Sequence, residues 1–111
     1  MEQIHATIRM LFPVERETEA LEILSSMTEQ IKVETGCIDC RLYRGIQIPH
    51  TVLFEQSWNR EEDLLQHLRS DRYAKVLLVL EMAMETPEVR FDCIHRSHGM
   101  EFIAIARNQT E

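Results

Sequence analysis

The stretch that decides the fold is Ile4-His5-Ala6-Thr7-Ile8-Arg9-Met10-Leu11-Phe12. Its even-numbered residues are all apolar, whereas its odd-numbered residues are polar with the exception of Leu11. Successive side chains of a β-strand point to opposite faces of a sheet, so this period of two predicts a strand with one apolar face. That apolar face has to be covered by other elements of the chain.

The segment after this strand has the pattern of a helix. It begins just after Pro13 with glutamates at positions 15, 17 and 19, which are favourable near the positive end of a helix dipole. Lys32 and Gly36 mark its end. Its apolar residues recur at spacings of three and four, as expected for one buried helix face: Ala20, Leu24, Met27 and Ile31.

Alternation of apolar and polar residues returns in the rest of the chain. Residues 37–44 and 51–58 predict two strands joined by a turn, and residues 89–94 predict a fourth strand. A last strand is predicted over residues 100–106, after a turn at 97–99. The polar tail beyond it is expected to be frayed.

Two short helices are predicted between the third and fourth strands. Asn59 can cap the first and Ser70 the second, whereas Pro87 prevents the second from continuing. Met82 and Met84 are interpreted as part of the buried stripe of the second helix. The other apolar residues that form the two stripes are Leu64, Leu65 and Leu68, then Tyr73, Val76, Leu77 and Leu80.

The order of elements is β-α-β-β-α-α-β-β, which predicts an α+β fold: a ferredoxin-like split βαβ sheet with its helices on one face. We expect residues 1–111 to form a single domain. The other sheet face has balanced charges beside exposed apolar groups, which suits a self-complementary partner and predicts a homodimer. That face carries Arg9, Asp39, Arg41, Tyr43, Glu55, Arg90 and Asp92 beside Leu11, Leu53 and Ile94.

Composition excludes several classes of function. The formal net charge is −7, and the basic residues are scattered, so neither nucleic acid nor an anionic membrane surface is an expected partner. The three glycines stand alone, which rules out a dinucleotide fingerprint and a phosphate-binding loop. No secretory or membrane-spanning segment is recognisable, so a cytoplasmic location is predicted.

The three cysteines are interpreted as reduced thiols because their number is odd and a secretory context is lacking. Cys37 and Cys40 have C-x-x-C spacing, but residues three apart on a regular strand point to opposite faces, so we expect no redox or zinc pair. Cys93, His95 and His98 are explained more simply by a strand end and a polar turn. No metal site is predicted.

Three stretches resemble the antibiotic biosynthesis monooxygenase family of dimeric α+β barrels. They are Glu34-Thr35-Gly36-Cys37, Phe54-Glu55-Gln56-Ser57-Trp58 and His67-Leu68-Arg69-Ser70-Asp71-Arg72-Tyr73. The spacing from Trp58 to His67 is similar to the family's Trp and His pair. Thr35 stands where family members often have Pro, and Cys40 where they often have an aromatic residue.

The resemblance implies a small aromatic ligand and chemistry without a bound cofactor. The family includes quinol and anthrone monooxygenases, haem-degrading enzymes and members of unknown activity. Haem-degrading relatives typically carry Asn in the first strand, a second Trp at the place of His67 and a His ten residues later. This chain has Thr7, His67 and Leu77 at those places, which disfavours haem degradation.

Candidate catalytic residues are His67, as a general base for a phenolic proton, and Trp58, as an aromatic wall that stacks on a planar substrate. Each has a plainer interpretation, Trp58 as a core aromatic and His67 as a half-exposed or capping histidine. The substrate-binding residues predicted beside them are Tyr73, Leu64, Leu68, Leu77 and Thr7. Strand alternation places Thr7 opposite the helix-facing residues.

Two functions remain open from the sequence. The first is a cofactor-independent monooxygenase that oxidises an electron-rich aromatic, such as a quinol or an anthrone, with O₂. The second is a non-catalytic dimeric module that binds or senses a small ligand in the same pocket. A desolvated histidine facing the ligand favours catalysis, whereas an aromatic cleft without a proton acceptor favours binding.

Overall fold

The computed structural model of the chain describes residues 2–108. Its elements follow the predicted order up to the fourth strand, after which the chain forms a helix. In chain order they are β1 (Gln3–Leu11), α1 (Val14–Ile31), β2 (Cys37–Arg44), β3 (Thr51–Trp58), α2 (Glu61–Arg69), α3 (Tyr73–Glu81), β4 (Glu88–Ile94) and α4 (Glu101–Arg107).

The strands form one antiparallel sheet in the order β2-β3-β1-β4. β1 lies in the interior of the sheet and pairs with β3 on one side, through Ile8 opposite Phe54, and with β4 on the other, through Ile8 opposite Val89. This confirms the α+β ferredoxin-like fold. The period of two in β1 appears directly in its burial, since Ile4, Ala6, Ile8 and Met10 are all buried.

The core lies between this apolar sheet face and helices α1 and α3. The side chains that are completely buried there include Phe12, Leu24, Met27, Ile31, Trp58 and Val76. Burial of a large apolar side chain contributes roughly 1.5–3 kcal/mol to stability, so these residues supply much of the driving force for folding. The helices do not extend over β4, where Val89 and Phe91 remain about half exposed.

The expected last strand is wrong, because residues 101–107 are helical. Every residue from Phe102 to Ala106 is apolar. This run has no apolar–polar pattern that could distinguish the period of a strand from that of a helix. Glu101 lies in the first turn and accepts a hydrogen bond from the Gly99 N–H at 2.9 Å, which favours a helix start. All described side chains of α4 are exposed.

Three smaller expectations about helix ends also differ from the structure. Asn59 does not cap α2 and Ser70 does not cap α3, because their N-cap residues are Arg60 and Arg72, and no side chain provides the cap hydrogen bond of either helix. α3 ends at Glu81, so Met84 lies beyond the helix and is exposed, whereas Met82 is buried at the C-cap. The Met84 N–H instead donates to the carbonyl of Leu11 at 2.7 Å, which ties this segment to the end of β1.

The expectation that Cys37 and Cys40 point to opposite faces is wrong, because β2 is not a regular strand. The register with β3 shifts between Cys37 and Asp39, which is the signature of a bulge. As a result Cys40 is buried in the core and Cys37 packs against the same core cluster. The two thiols therefore share the helix-covered side of the sheet instead of pointing to opposite faces.

Candidate functional site

The candidate site centres on His67, whose side chain is completely buried near the end of α2. Its ring nitrogen Nδ1 lies 2.9 Å from Oε1 of Glu34. Its other nitrogen, Nε2, is buried and has no hydrogen-bond partner among the described residues. Buried polar atoms are rarely left unpaired, because the loss of hydration costs roughly 1–3 kcal/mol. The unpartnered Nε2 therefore makes His67 the candidate for chemistry in this cluster.

Glu34 reaches His67 from the turn between α1 and β2. Backbone hydrogen bonds from the Glu34 N–H to Ile31 and from the Cys37 N–H to the Glu34 carbonyl, 3.0 and 3.1 Å long, hold this turn. Gly36 adopts φ +84°, the left-handed region that favours glycine. A Cβ at this position would overlap the side chain of Asp63 in α2. The glycine thus allows the turn to pack directly on the helix that carries His67.

Arg72 completes a chain of three polar side chains. Its Nη1 donates to Oε2 of Glu34 at 3.0 Å, so the Glu34 carboxylate is held between Arg72 and His67. The Glu34 side chain is largely buried, at 15% exposed, whereas that of Arg72 is half exposed. This chain of contacts connects the buried imidazole to the protein surface.

Two aromatic rings enclose the imidazole. The Trp58 ring lies 4.8 Å from the His67 ring between centroids, with an angle of 30° between their planes. The Tyr73 ring lies 5.1 Å away and is nearly perpendicular, at 82°. Trp58 is itself completely buried, and its Nε1–H donates to Oε1 of Gln56 at 2.9 Å. The ring of His67 is therefore fixed by contacts on two sides.

Burial sets the protonation of this cluster. Desolvation lowers the pKa of His67 below its ordinary value, and Arg72 lowers it further, whereas Glu34 acts in the opposite direction. Burial also raises the pKa of the Tyr73 hydroxyl. At neutral pH the cluster thus contains an uncharged imidazole and an uncharged phenol.

A surface cavity of about 720 Å³ adjoins the cluster. His67 contributes to its wall together with residues from the α1–β2 turn, α2 and the α2–α3 connection. Carboxylates outnumber cationic side chains around it. The lining residues with polar side chains are Glu34, Thr35, Asp63, Gln66, His67, Ser70, Asp71 and Arg72.

The predicted site residues fall into two groups. His67, Trp58 and Tyr73 lie together, and Leu64 and Leu68 belong to or pack against the core beside them. The other two lie elsewhere: Leu77 is about half exposed on α3, and Thr7 lines a shallow depression on the opposite, open face of the sheet. The interpretation of His67 as a half-exposed histidine is wrong, because its side chain is completely buried.

Sequence reasoning assigned no role to Glu34, Arg72 and Gln56, the partners that fix the two rings. All three lie within stretches that carry the family resemblance. Gln56 contacts Trp58 only two residues along the chain, whereas the contacts of Glu34 cross long distances. Glu34 is 33 residues from His67 and 38 from Arg72. Only the turn at Gly36 gave a local signal that this region is constrained.

The cysteines, His95 and His98 form no comparable centre. Burial raises the pKa of the Cys37 thiol to about 11 and that of Cys40 to about 12, which disfavours reactive thiolates. Cys93 and His95 each contact Glu2, whereas the His98 ring stacks on Phe102. Within residues 2–108, no group of three or more His, Cys, Asp or Glu side chains is arranged to hold a metal ion.

The comparisons with known proteins agree with this architecture. The model of the antibiotic biosynthesis monooxygenase family matches residues 3–77, which include β1, the α1–β2 turn, Trp58, His67 and Tyr73. The chain belongs to the antibiotic biosynthesis monooxygenase family. No curated protein matches its sequence.

Solved structures extend the fold match beyond those residues. A conserved protein from Methanosarcina mazei Go1 is 26% identical, with a TM-score of 0.77 over 83% of this chain and 92% of that one. A "putative antibiotic biosynthesis monooxygenase" from Nitrosomonas europaea also has a TM-score of 0.77, at 11% identity over 87% of this chain and 94% of that one. A similarly named protein from Deinococcus radiodurans has a TM-score of 0.70, at 14% identity over 90% and 96%.

Across the described part of the chain, no helix is both long enough and apolar enough to cross a bilayer.

Proposed function

We propose that this protein is a cofactor-independent monooxygenase that oxidises an electron-rich aromatic, such as a quinol or an anthrone, with O₂. The observation that supports this most is the unpartnered Nε2 of His67, on an uncharged imidazole beside a cavity large enough for a small aromatic molecule. A neutral imidazole is a competent general base for a phenolic proton. The excess of carboxylates around the cavity favours a neutral substrate over a carboxylated one.

The reaction needs little from the protein because the substrate supplies the electrons. His67 takes a proton from the phenol or from the activated ring methylene of an anthrone. The resulting anion gives one electron to O₂, and the substrate radical and superoxide combine to form a C–O bond. The peroxide recovers the proton from His67, and an anthrone then loses water as its CH₂ becomes C=O. One O₂ thus yields one carbonyl and one water.

The proposed roles follow the positions of the side chains. His67 is the base. Trp58 and Tyr73 hold its ring from two sides and keep water away, while Leu64 and Leu68 form the apolar surroundings. Nε2 has almost no exposed surface, so a substrate reaches it only after the side chains over it move. Leu77 and Thr7 lie apart from this arrangement and receive no role.

Ligand binding without turnover is the alternative function. The burial of Nε2 and the complete burial of Trp58 favour it, because in this conformation neither group is open to a ligand. A binding module would use the polar cavity and leave His67 as a core residue. The two functions differ in whether the bound compound consumes O₂.

Oxygen uptake with a panel of neutral quinols and anthrones tests the proposal. We expect turnover by the wild-type protein and a fall of about 10² to 10⁴ in rate for His67→Ala and His67→Gln, the range for loss of a general base. His95→Ala, which removes an exposed histidine, is the control and should retain full activity. Turnover that is unchanged in a folded His67→Gln protein excludes His67 as the base, and binding without oxygen uptake favours the ligand-binding module.

The proposed chemistry requires no resident cofactor or metal. We therefore expect the purified active protein to show no flavin or haem absorption and no stoichiometric transition metal by elemental analysis. One tightly held zinc per chain that is lost in Cys40→Ser would contradict this expectation.

We also propose that the protein functions as a homodimer, with the open sheet faces of two copies packed together. The open face combines Leu53 with polar and charged side chains that contact one another, among them His5 with Glu55 at 3.0 Å and Arg9 with Glu88 at 3.3 Å. Such a face is suited to a symmetric partner.

Light scattering at micromolar concentration tests the dimer, and a strictly monomeric protein would refute it. Leu53→Glu places a charge within the open face and should shift the protein towards monomer. Ile46→Glu, at a fully exposed position of the β2–β3 turn, should leave the mass unchanged.

A further inference from the structure

The two nitrogens of a neutral histidine are not equivalent, and only the one without a proton can act as a base. Which nitrogen carries the proton is decided by its hydrogen-bond partners. In His67 the partner of Nδ1 is a carboxylate oxygen, Oε1 of Glu34, at 2.9 Å, and Nε2 has no described partner. A carboxylate only accepts hydrogen bonds, so the proton of the neutral ring belongs on Nδ1.

The contact with Arg72 shows that Glu34 accepts the hydrogen bond from His67 and does not donate one. Arg72 donates to the second oxygen of the same carboxylate, Oε2, at 3.0 Å. Both oxygens of Glu34 are therefore accepting, and neither is free to carry a proton that it would donate to Nδ1. The arrangement also fixes the orientation of the carboxylate, because two hydrogen bonds in different directions hold it.

We propose that Glu34, held by Arg72, is the positioning residue that keeps His67 in the Nδ1–H tautomer and so leaves the lone pair on Nε2 free to accept a proton. The catalytic part of this inference rests on the proposed monooxygenase function. After proton transfer to Nε2, the same carboxylate stabilises the imidazolium. Glu34 contributes through His67 and does not itself take the substrate proton.

The chain contains its own control for this arrangement. Glu17 contacts Nδ1 of His50 at 2.6 Å and Arg44 at 3.3 Å, with the same residue types in the same order of contact. His50, however, is 39% exposed, so water can replace any partner that is lost. Glu17→Gln changes the same chemical group as Glu34→Gln without affecting the buried histidine.

NMR of ¹⁵N-labelled histidine rings tests the tautomer without requiring turnover. We expect the wild-type His67 ring to carry its proton on Nδ1 at neutral pH. In Glu34→Gln the side-chain amide can either accept from Nδ1 or donate to it, so signals of the Nε2–H tautomer should appear. Glu17→Gln should leave the His67 signals unchanged.

Kinetics provide the second measurement. In Glu34→Gln we expect kcat to fall by between about tenfold and about 10⁴-fold with little change in KM, the upper limit being the effect of a wrong tautomer in a serine protease triad. Glu34→Asp, which retains the carboxylate, should recover part of kcat, and Glu17→Gln should retain all of it. A merely structural role would lower the amount of folded protein and leave kcat per folded molecule unchanged.

The outcomes separate this inference from the function on which its catalytic part rests. A wild-type ring protonated on Nε2 overturns the inference even if no variant folds, and so does a Glu34→Gln protein with unchanged tautomer and kcat. If the tautomer shifts in Glu34→Gln but the wild type consumes no O₂ with any compound of the panel, the positioning role stands and the monooxygenase function fails.

Discussion

The two ends of helix α1 carry two clusters of the same composition. At its start, Glu17 lies between His50 and Arg44, and just beyond its end Glu34 lies between His67 and Arg72. In both clusters the carboxylate contacts Nδ1 of the histidine through one oxygen and an arginine through the other. The identities and the contacts are matched, so any difference in behaviour has to arise from the surroundings.

The surroundings differ in solvent and in aromatic neighbours. His50 is 39% exposed, on the β2–β3 turn, and its hydrogen bond to Glu17 lowers the pKa of that carboxyl group. His67 is completely buried between Trp58 and Tyr73, and burial lowers its own pKa instead. The Glu17 cluster is therefore a charged clamp that ties the β2–β3 turn to α1. The Glu34 cluster instead contains an uncharged imidazole.

The largest expected effect comes from removing Trp58, one of the two aromatic rings that pack against His67. Trp58→Ala should lower the free energy of unfolding by about 3–5 kcal/mol, because it leaves a cavity at a completely buried position. Water admitted to that cavity should also raise the pKa of His67 towards its ordinary value and make the buried cluster more like the exposed one. Urea unfolding and NMR titration measure the two effects.

Leu78→Ala provides the control for Trp58→Ala, since Leu78 is a large apolar residue that is 59% exposed on α3. Its loss should change stability by less than about 1 kcal/mol and leave the titration of His67 unaffected. If Trp58→Ala is tolerated equally well, the tryptophan does not support the buried cluster.

The pH dependence of stability separates the two clusters next. The pKa of His67 is lower in the native protein than the ordinary 6.5, so as the pH falls below that value the unfolded chain gains a proton that the native protein does not. Stability should decline there by up to about 1.4 kcal/mol per pH unit from this one group. The pKa of Glu17 is also lowered, from 4.5, and its contribution should be lost only as the pH falls below about that value.

Two variants show which residue causes each part of the pH dependence of stability. His67→Gln should flatten the decline between about pH 7 and pH 5, and Glu17→Gln should flatten the decline at more acidic pH. Chemical unfolding at a series of pH values measures both slopes. Identical profiles for His67→Gln and the wild type would show that His67 is not kept neutral by burial.

The sequence predicted those features that depend on local periodicity. The alternation in β1 and the spacing of Ala20, Leu24, Met27 and Ile31 define the sheet and its covering helix, and both are confirmed. The helix over residues 101–107 was missed because an uninterrupted apolar run has no readable period. The bulge at Cys37 was missed because strand periodicity assumes a regular register.

The candidate site was predictable only in part, for a related reason. His67 and Trp58 stood out through the family resemblance, and the structure places their rings in contact. Their electrostatic partners did not stand out, since Glu34 and Arg72 resemble any other surface charges in the sequence. Whether a Glu–His–Arg set becomes a clamp or a buried base depends on what covers it, and tertiary packing alone supplies that information.

The smallest predicted effect concerns the backbone of the exposed cluster. His50 has φ +67°, in the left-handed region, which costs a residue with a side chain roughly 1–2 kcal/mol. His50→Ala keeps this strain and loses the contact with Glu17, whereas His50→Gly loses the same contact but relieves the strain at the expense of greater freedom in the unfolded chain, worth about 0.5–1 kcal/mol. The glycine variant should therefore be more stable than the alanine variant by about 0.5–1 kcal/mol in urea unfolding, with neither changing the ring signals of His67. Equal stabilities would show that the left-handed backbone at His50, whose carbonyl accepts from the Phe12 N–H at 3.0 Å, carries no strain.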